Sequence, residues 1–295
     1  MRCCDQPSFR TGIGAALCLL VGSCAAGPPP CELLETGVVE SELLEQDLGI
    51  SVLPAPDDSD PDEVPVVVIL HGMGEDHLAL DRHGVSEHLR EAILAGRIPP
   101  VHLLLPSGDR GYWTNWHDGS QRWEDYLLQE AIPAGEAMLG TRPGRDRRHI
   151  LGVSMGGAAA LRIGLARPDL FASTACLSSF VMNREQALRM LKNPFLRMLA
   201  DLEPVFGDGD DPEFARRHDP YRLVLDRPAH LEQKIFLAAG EREWSKFEQL
   251  TVAFHEFLEA RDVEHRIEIY EGGHGWRDWL PVIEHAIGYF VESDQ

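Results

Sequence analysis

The stretch that most constrains this chain is His149 to Ala158, centred on Gly152-Val153-Ser154-Met155-Gly156. An apolar run (Ile150, Leu151, Val153) reads as a short buried strand, and Ala158 to Leu161 opens a helix behind it. A serine between glycines at such a junction implies a sharp strand-to-helix turn. Bulky neighbours would collide there, and the serine backbone is forced into a strained conformation. The turn lifts the hydroxyl clear of the sheet and leaves the Met155 amide at a helix N-terminus, where a developing negative charge is stabilised. The same five-residue pattern also occurs in ordinary turns, so the flanking strand, the third glycine at Gly157 and the small-residue helix are what give it weight.

The rest of the chain repeats the strand-then-helix rhythm. Val66–Leu70 is an unbroken β-branched run of the kind a doubly covered parallel strand needs. Val101–Leu105, Ala172–Leu177, Lys234–Ala239 and Arg266–Tyr270 read as further strands. Helices are expected over 76–95, 123–139 with a kink at Pro133, 245–260 and 276–291. Val38-Val39 and Leu48–Val52 read as edge strands. Alternation of this kind predicts an α/β fold, a mostly parallel sheet of about eight strands wrapped by helices on both faces. No internal repeat or long linker divides it, so one catalytic domain over 37–295 is expected. The net charge of −21 argues against a nucleic-acid partner, whose phosphates would be repelled.

The first residues differ. Arg2 and Arg10 precede an apolar run, Thr11–Val21, too short to span a bilayer comfortably, which reads as a signal peptide over 1–23. Val21-Gly22-Ser23-Cys24 resembles a bacterial lipobox, which implies a lipid on Cys24 and membrane anchoring; plain cleavage after Ala25 or Ala26 is the other reading. Residues 24–36, with Gly27-Pro28-Pro29-Pro30, form a stiff linker. The expected address is extracytoplasmic, as an envelope lipoprotein or a secreted protein. Cys31 and Cys176 would then remain, one in the tail and one in a core strand, so no structural disulfide is expected. No cysteine spacing suits a metal.

A serine hydroxyl near neutral pH needs a base, and the base needs an orienting carboxylate. In an α/β sheet with this turn the order along the chain is serine, acid, histidine. Of thirteen histidines, His274 follows the last strand and is flanked by glycines. His255, His265 and His285 fall in or beside regular elements, where surface or packing roles are commoner. The acid belongs in the loop after Lys234–Ala239, which offers Glu241 and Glu243. Glu243 is preferred because its offset from Gly240 leaves the chain room to turn back; Asp226, before the strand, ranks third. The loop His71-Gly72-Met73-Gly74 suits a second oxyanion donor, assigned to the Met73 amide beside that of Met155, with His71 itself structural. Trp113, Asn115 and Trp116 lie beyond the end of a strand, where parallel sheets bind ligands. With Trp276 they are candidate substrate-binding residues, lining an acyl or sugar pocket unless the loop packs on itself. Asn183–Leu202 is amphipathic, either a cap over the site or a plain connection.

These residues support a resemblance covering roughly Val64 to Phe290. Leu70–Gly74, Trp113–Asn115, Gly152–Gly157, Gly240–Glu243 and Gly272–Trp276 with Trp279 resemble the α/β-hydrolase superfamily, in particular its esterase D-like family. That family includes S-formylglutathione hydrolases, feruloyl and acetyl-xylan esterases, enterochelin esterases and mycolyltransferases. The resemblance implies a serine hydrolase acting on carboxylic esters, with Ser154, Glu243 and His274 as triad and Met73 and Met155 as oxyanion amides. It implies no metal or organic cofactor. Glutamate stands where many members carry aspartate. Acyl transfer of the mycolyltransferase type and a non-catalytic binding module are the alternatives, since fold does not guarantee chemistry.

Overall fold

The computed structural model describes residues 33–292 apart from 57–60, 194–201, 209–210, 227–231 and 244–245. The leader, Cys24 and nearly all of the linker therefore lie outside the described residues. Eight strands form one sheet in the order β1-β2-β4-β3-β5-β6-β7-β8. In chain order they are β1 (Glu35–Ser41), β2 (Gln46–Leu53), β3 (Val66–Leu70), β4 (His102–Pro106), β5 (Arg148–Val153), β6 (Ser173–Leu177), β7 (Lys234–Gly240) and β8 (His265–Tyr270). The β1–β2 and β2–β4 pairings are antiparallel, and all the others are parallel. This is the mostly parallel, doubly covered sheet of an α/β-hydrolase fold.

Burial follows from that cover. Every residue of β3, β4 and β6 is buried. Alternate side chains feed two layers. Val67, Ile69 and Leu151 pack with Ile283 and Ile287 of the C-terminal helix Trp276–Val291. Val66, Val68 and Ile150 pack with Trp123 and Ile163 on the other face. Further along that second face, Cys176 and Leu237 meet Phe254 and Leu258 of helix Phe247–Glu259. Cys176 is a buried free thiol whose pKa is pushed up to about 12, chiefly by burial.

Two expected helices are not continuous. The segment expected over 76–95 is split into Ala79–Arg82 and Val85–Leu94, because Gly84 adopts φ +73 and ends the first turn. The segment over 123–139 is α-helical at Trp123–Tyr126, widens to a π turn at Leu127–Ala131 and resumes at Ile132–Met138. Pro133 lacks the N–H that would bond one turn back, and the ladder widens just before it. From the amphipathic segment at 183–202, Arg184–Leu191 is a helix closed by an Asn183–Gln186 capping box.

His149 on β5 lies fully inside, stacked on Phe290 of the C-terminal helix at 5.3 Å. Burial, then Lys234 and Arg145, push its pKa down to about 4 from the ordinary 6.5. The unfolded chain therefore takes up this proton before the folded chain does, so the contribution is intact above about pH 6.5 and is lost on acidification towards about 4. Replacing His149 with Phe should flatten the fall in stability between these pH values. Denaturant midpoints measured across this range for both proteins check it, and an unchanged slope would rule His149 out.

Candidate active site

The sheet register gathers the site. Leu70 of β3 pairs with Gly152 of β5, so the loops carrying Gly72 and Ser154 emerge side by side. Val153 pairs with Leu177, which sets Ser178 next to Ser154. Gly240 pairs with Tyr270, which brings the loops of Glu243 and His274 together. All lie at the C-terminal ends of parallel strands, beside the reversal of strand order at β4-β3-β5, where open α/β sheets bind ligands.

Ser154 sits at φ 54, ψ −120 immediately before helix Met155–Ala166. The glycines around it are required by backbone contact. A Cβ on Gly152 would lie 2.1 Å from the Gly156 carbonyl oxygen, and one on Gly156 would lie 2.1 Å from that of Leu70. The strained turn is held by hydrogen bonds on both sides. Ser154 N–H donates to Leu177 O at 2.9 Å, and Ser154 O accepts from Gly157 N–H at 2.9 Å and from the Ser179 hydroxyl at 2.5 Å.

The three side chains sought in sequence meet. His274 Nε2 lies 2.9 Å from Ser154 Oγ, and His274 Nδ1 lies 2.9 Å from Glu243 Oε2. With an ionised glutamate, Nδ1 carries the proton and Nε2 accepts from the serine hydroxyl. The Glu243 side chain is 1% exposed. Burial acts to raise its pKa, but hydrogen bonds from His274, Ser178 and the Gly240 amide outweigh it and hold the carboxyl below its ordinary value. Gly240 N–H donates to Oε1 at 2.9 Å, and the Tyr270 hydroxyl donates to it at 3.3 Å. Glu241 points to solvent, and Asp226 pairs with Arg216 and Arg222 on a surface helix. Glu243 is the acid seen in hydrogen-bond contact with His274.

His71 organises the neighbouring loop. Gly108 N–H donates to His71 Nε2 at 2.9 Å, so the proton sits on Nδ1 and is donated to Gly72 O at 2.7 Å. Burial lowers the pKa of this imidazole, which keeps it neutral. In a trans peptide the carbonyl and the following N–H point opposite ways. Fixing Gly72 O on the imidazole therefore turns the Met73 N–H away from it, in a loop whose Gly72 Cβ position is 3.9 Å from Ser154 Oγ. Among the described residues neither the Met73 nor the Met155 amide has a hydrogen-bond acceptor.

The aromatic loop packs on itself, the second of the two readings open in sequence. Trp113 is fully buried, with Nε1 donating to His71 O at 3.3 Å, and does not line a pocket. Asn115 Oδ1 accepts from Asp125 N–H at 3.1 Å, and Trp116 Nε1 donates to Gly111 O at 3.2 Å. The loop packs on itself because Tyr112 and Trp113 both take positive φ and Arg162 holds the Trp113 carbonyl at 2.7 Å. Trp276 is different. Half-buried, it stacks on His83 at 5.1 Å and donates to Glu75 at 3.3 Å, tying the histidine loop to the Met73 loop.

Phe247, Ser178 and Tyr270 were not singled out for the site in sequence, and Trp279 entered only as a motif residue of the resemblance. Phe247 stacks on the His274 ring at 5.2 Å, and Trp279 meets it edge-on at 4.9 Å. Ser178 accepts from Trp279 Nε1 at 2.8 Å and lies 2.5 Å from the Tyr270 hydroxyl. Their signal was positional: Ser178 and Tyr270 stand at or just past strand C-termini.

A family model described as "Putative esterase" matches residues 41–290. The chain belongs to this esterase family. An acetyl esterase of Caldicellulosiruptor saccharolyticus is 23% identical over 69% of this chain and 79% of its own length. Esterase MT1326 of Mycobacterium tuberculosis is 27% identical over 78% of this chain, which spans about half (53%) of that protein. Among solved structures, the fluorophosphonate-binding serine hydrolase FphF of Staphylococcus aureus superposes with a TM-score of 0.71. It is 20% identical, with 90% of this chain and 100% of that one covered, a likeness of fold. Ester hydrolysis is the activity class of this family member.

Gly156→Ala should destabilise the esterase by about 3 kcal/mol or more, since two backbone segments cannot separate to admit the methyl group. Gly144→Ala, where an added Cβ meets nothing within 4 Å, should be nearly neutral. Paired thermal melts test the contrast, which equal shifts would contradict.

Proposed function

We propose that this esterase cleaves carboxylic esters through an acyl-enzyme on Ser154. The observation that carries the reading is the continuous hydrogen-bond chain from Ser154 Oγ through the His274 ring to Glu243. His274 Nε2 takes the hydroxyl proton as Oγ attacks the ester carbonyl, and Glu243 stabilises the imidazolium that forms. The Met73 and Met155 amides receive the oxyanion. Collapse of the tetrahedral intermediate expels the alcohol, which leaves with the proton from His274. Water then gives a proton to His274 as it attacks the acyl carbonyl, and the carboxylic acid departs as Ser154 Oγ recovers that proton. No step calls for a metal or an organic cofactor.

The substrate is proposed to be an extracytoplasmic ester with an apolar acyl part. The leader-like run Thr11–Val21 and the lipobox-like Val21–Cys24 support the address, with Cys24 as the lipid attachment point. Met73 and Phe180, 47% and 39% exposed and both just beyond strand C-termini, support an apolar contact beside the serine. Relatives named acetyl esterase and endo-1,4-beta-xylanase/feruloyl esterase support a carboxylic ester as substrate. Palmitate labelling of wild-type and Cys24→Ala cells tests the anchor.

Ser154→Ala should cut turnover of p-nitrophenyl esters by roughly 10⁴-fold or more and abolish fluorophosphonate labelling. Glu243→Gln should cost about 10²- to 10⁴-fold in kcat. Retention of most activity by Ser154→Ala would remove the mechanism. His71→Gln should lower kcat by roughly 10²-fold with little change in KM, because the Gly72–Met73 peptide loses its orientation. A rise in KM alone would instead make His71 a ground-state binding element.

A further inference from the structure

The turn joining helix Phe247–Glu259 to β8 gathers three metal-ligand side chains far from the serine. His255 and Glu259, four residues apart, share one face of the helix end. His265 opens β8 with the same strand parity as Ile267, which packs against that helix. One ligand atom from each residue lies within 4.8 Å of the other two. His255 Nδ1 and His265 Nε2 approach to 2.7 Å.

The proton inventory gives this cluster its meaning. His265 Nδ1 lies 2.7 Å from the Val263 carbonyl, which can only accept, so that nitrogen is protonated and Nε2 presents a lone pair. His255 Nδ1 closes the gap with its own proton. Shifting that proton to the far nitrogen of the His255 ring leaves two lone pairs converging on one point. The Nδ1–H···O=C anchor on His265 is the support that metal-bound histidines ordinarily have.

The surroundings suit a cation. The connecting turn is stiff, with Val263 N–H on Leu258 O and Asp262 N–H on Glu259 O, each at 3.1 Å. Arg266 has the opposite strand parity, that of Glu268, which pairs with His285 of the C-terminal helix. Arg261 is drawn away over the Phe257 ring at 3.7 Å, with its guanidinium on Phe257 O. Glu264 and Asp262 add negative charge to the turn.

We propose that His255, Glu259 and His265 bind a divalent transition metal, zinc foremost, with a fourth position left to water. Two imidazoles and one carboxylate suit zinc, whereas calcium and magnesium call for larger oxygen sets. Zinc–nitrogen bonds of about 2.0–2.1 Å at tetrahedral angles set the two nitrogens about 3.3 Å apart. The half-buried rings need to part by only about 0.6 Å to reach that spacing. At about 3.3 Å per residue, β8 holds His265 roughly 17 Å from its Tyr270 end. The metal thus clamps the helix to the edge strand at the end of the sheet opposite Ser154 and takes no part in ester cleavage.

Calorimetric titration of zinc into the full, untagged chain after EDTA treatment and buffer exchange tests the proposal, with cobalt(II) as a spectroscopic probe. Expected are one equivalent bound with Kd below about 10 µM, visible cobalt bands of a four- or five-coordinate site, and a raised Tm. His265→Ala should weaken binding by more than roughly 100-fold while ester turnover without metal stays within about twofold. His255→Gln serves if His265→Ala does not fold, and His285→Asn should bind zinc as the wild type does. Wild-type binding weaker than about 10 µM, or zinc affinity insensitive to both ligand substitutions, would overturn the site.

Discussion

The molecule depends on how closely helix Met155–Ala166 approaches the strands beneath it. Gly152, Gly156 and Gly157 let backbone meet backbone at distances no Cβ could enter, and that approach bends Ser154 into its positive φ. Such a conformation costs on the order of 1–3 kcal/mol and persists only where the surroundings over-determine it. Here they do. The Ser154 amide and carbonyl are both bonded to β6 or to residues just beyond it, and the helix behind is pinned by Leu161 and Ile163 in two neighbouring core clusters on the same face of the sheet. Packing, rather than loop chemistry, therefore sets the direction of the hydroxyl.

The acid shows how a longer side chain is accommodated. Glu243 folds back so that one oxygen accepts from the Gly240 amide of its own turn while the other meets His274. The extra methylene is taken up within four residues, and the histidine is met at ordinary hydrogen-bond distance. A buried carboxylate without such partners would rise in pKa and risk neutrality. The Gly240 amide, Tyr270 and Ser178 supply them, and Phe247 and Trp279 confine the imidazole between two rings. Glu243 keeps its charge and His274 its orientation through contacts supplied from the ends of β6, β7 and β8 and from the two helices that carry Phe247 and Trp279.

What was legible in sequence follows from what is local. Unbroken apolar runs such as Val66–Leu70 marked buried strands because parallel strands covered on both faces have no polar side. Gly-flanked serine and histidine at strand ends marked the site because tight turns demand glycine. The Trp113 loop stayed open in sequence because aromatic residues after a strand suit a pocket and a core equally. The decision lay in Arg162, 49 residues further on, which holds the Trp113 carbonyl. The Ser178–Tyr270 contact spans 92 residues and follows from sheet register alone, which no local period encodes. The break at Gly84 was missed because the apolar spacing runs on across it.

Seen from the rim, the scaffold separates backbone geometry from side-chain surface. Met73 offers a backbone amide held by the His71–Gly72 contact, while its side chain stands 47% exposed. Changes to that side chain leave the peptide plane untouched, so the exposed apolar surface there can vary without moving the amide. The bridge from Trp276 to Glu75 and His83 holds the histidine loop against the Met73 loop from the side, independently of the acid. Beyond these joined loops, the stretch after β6 carries exposed Phe180, which leans edge-on against Phe247 at 4.5 Å. Because Phe247 is also the ring stacked on His274, Phe180 is linked to the imidazole through a single intervening side chain.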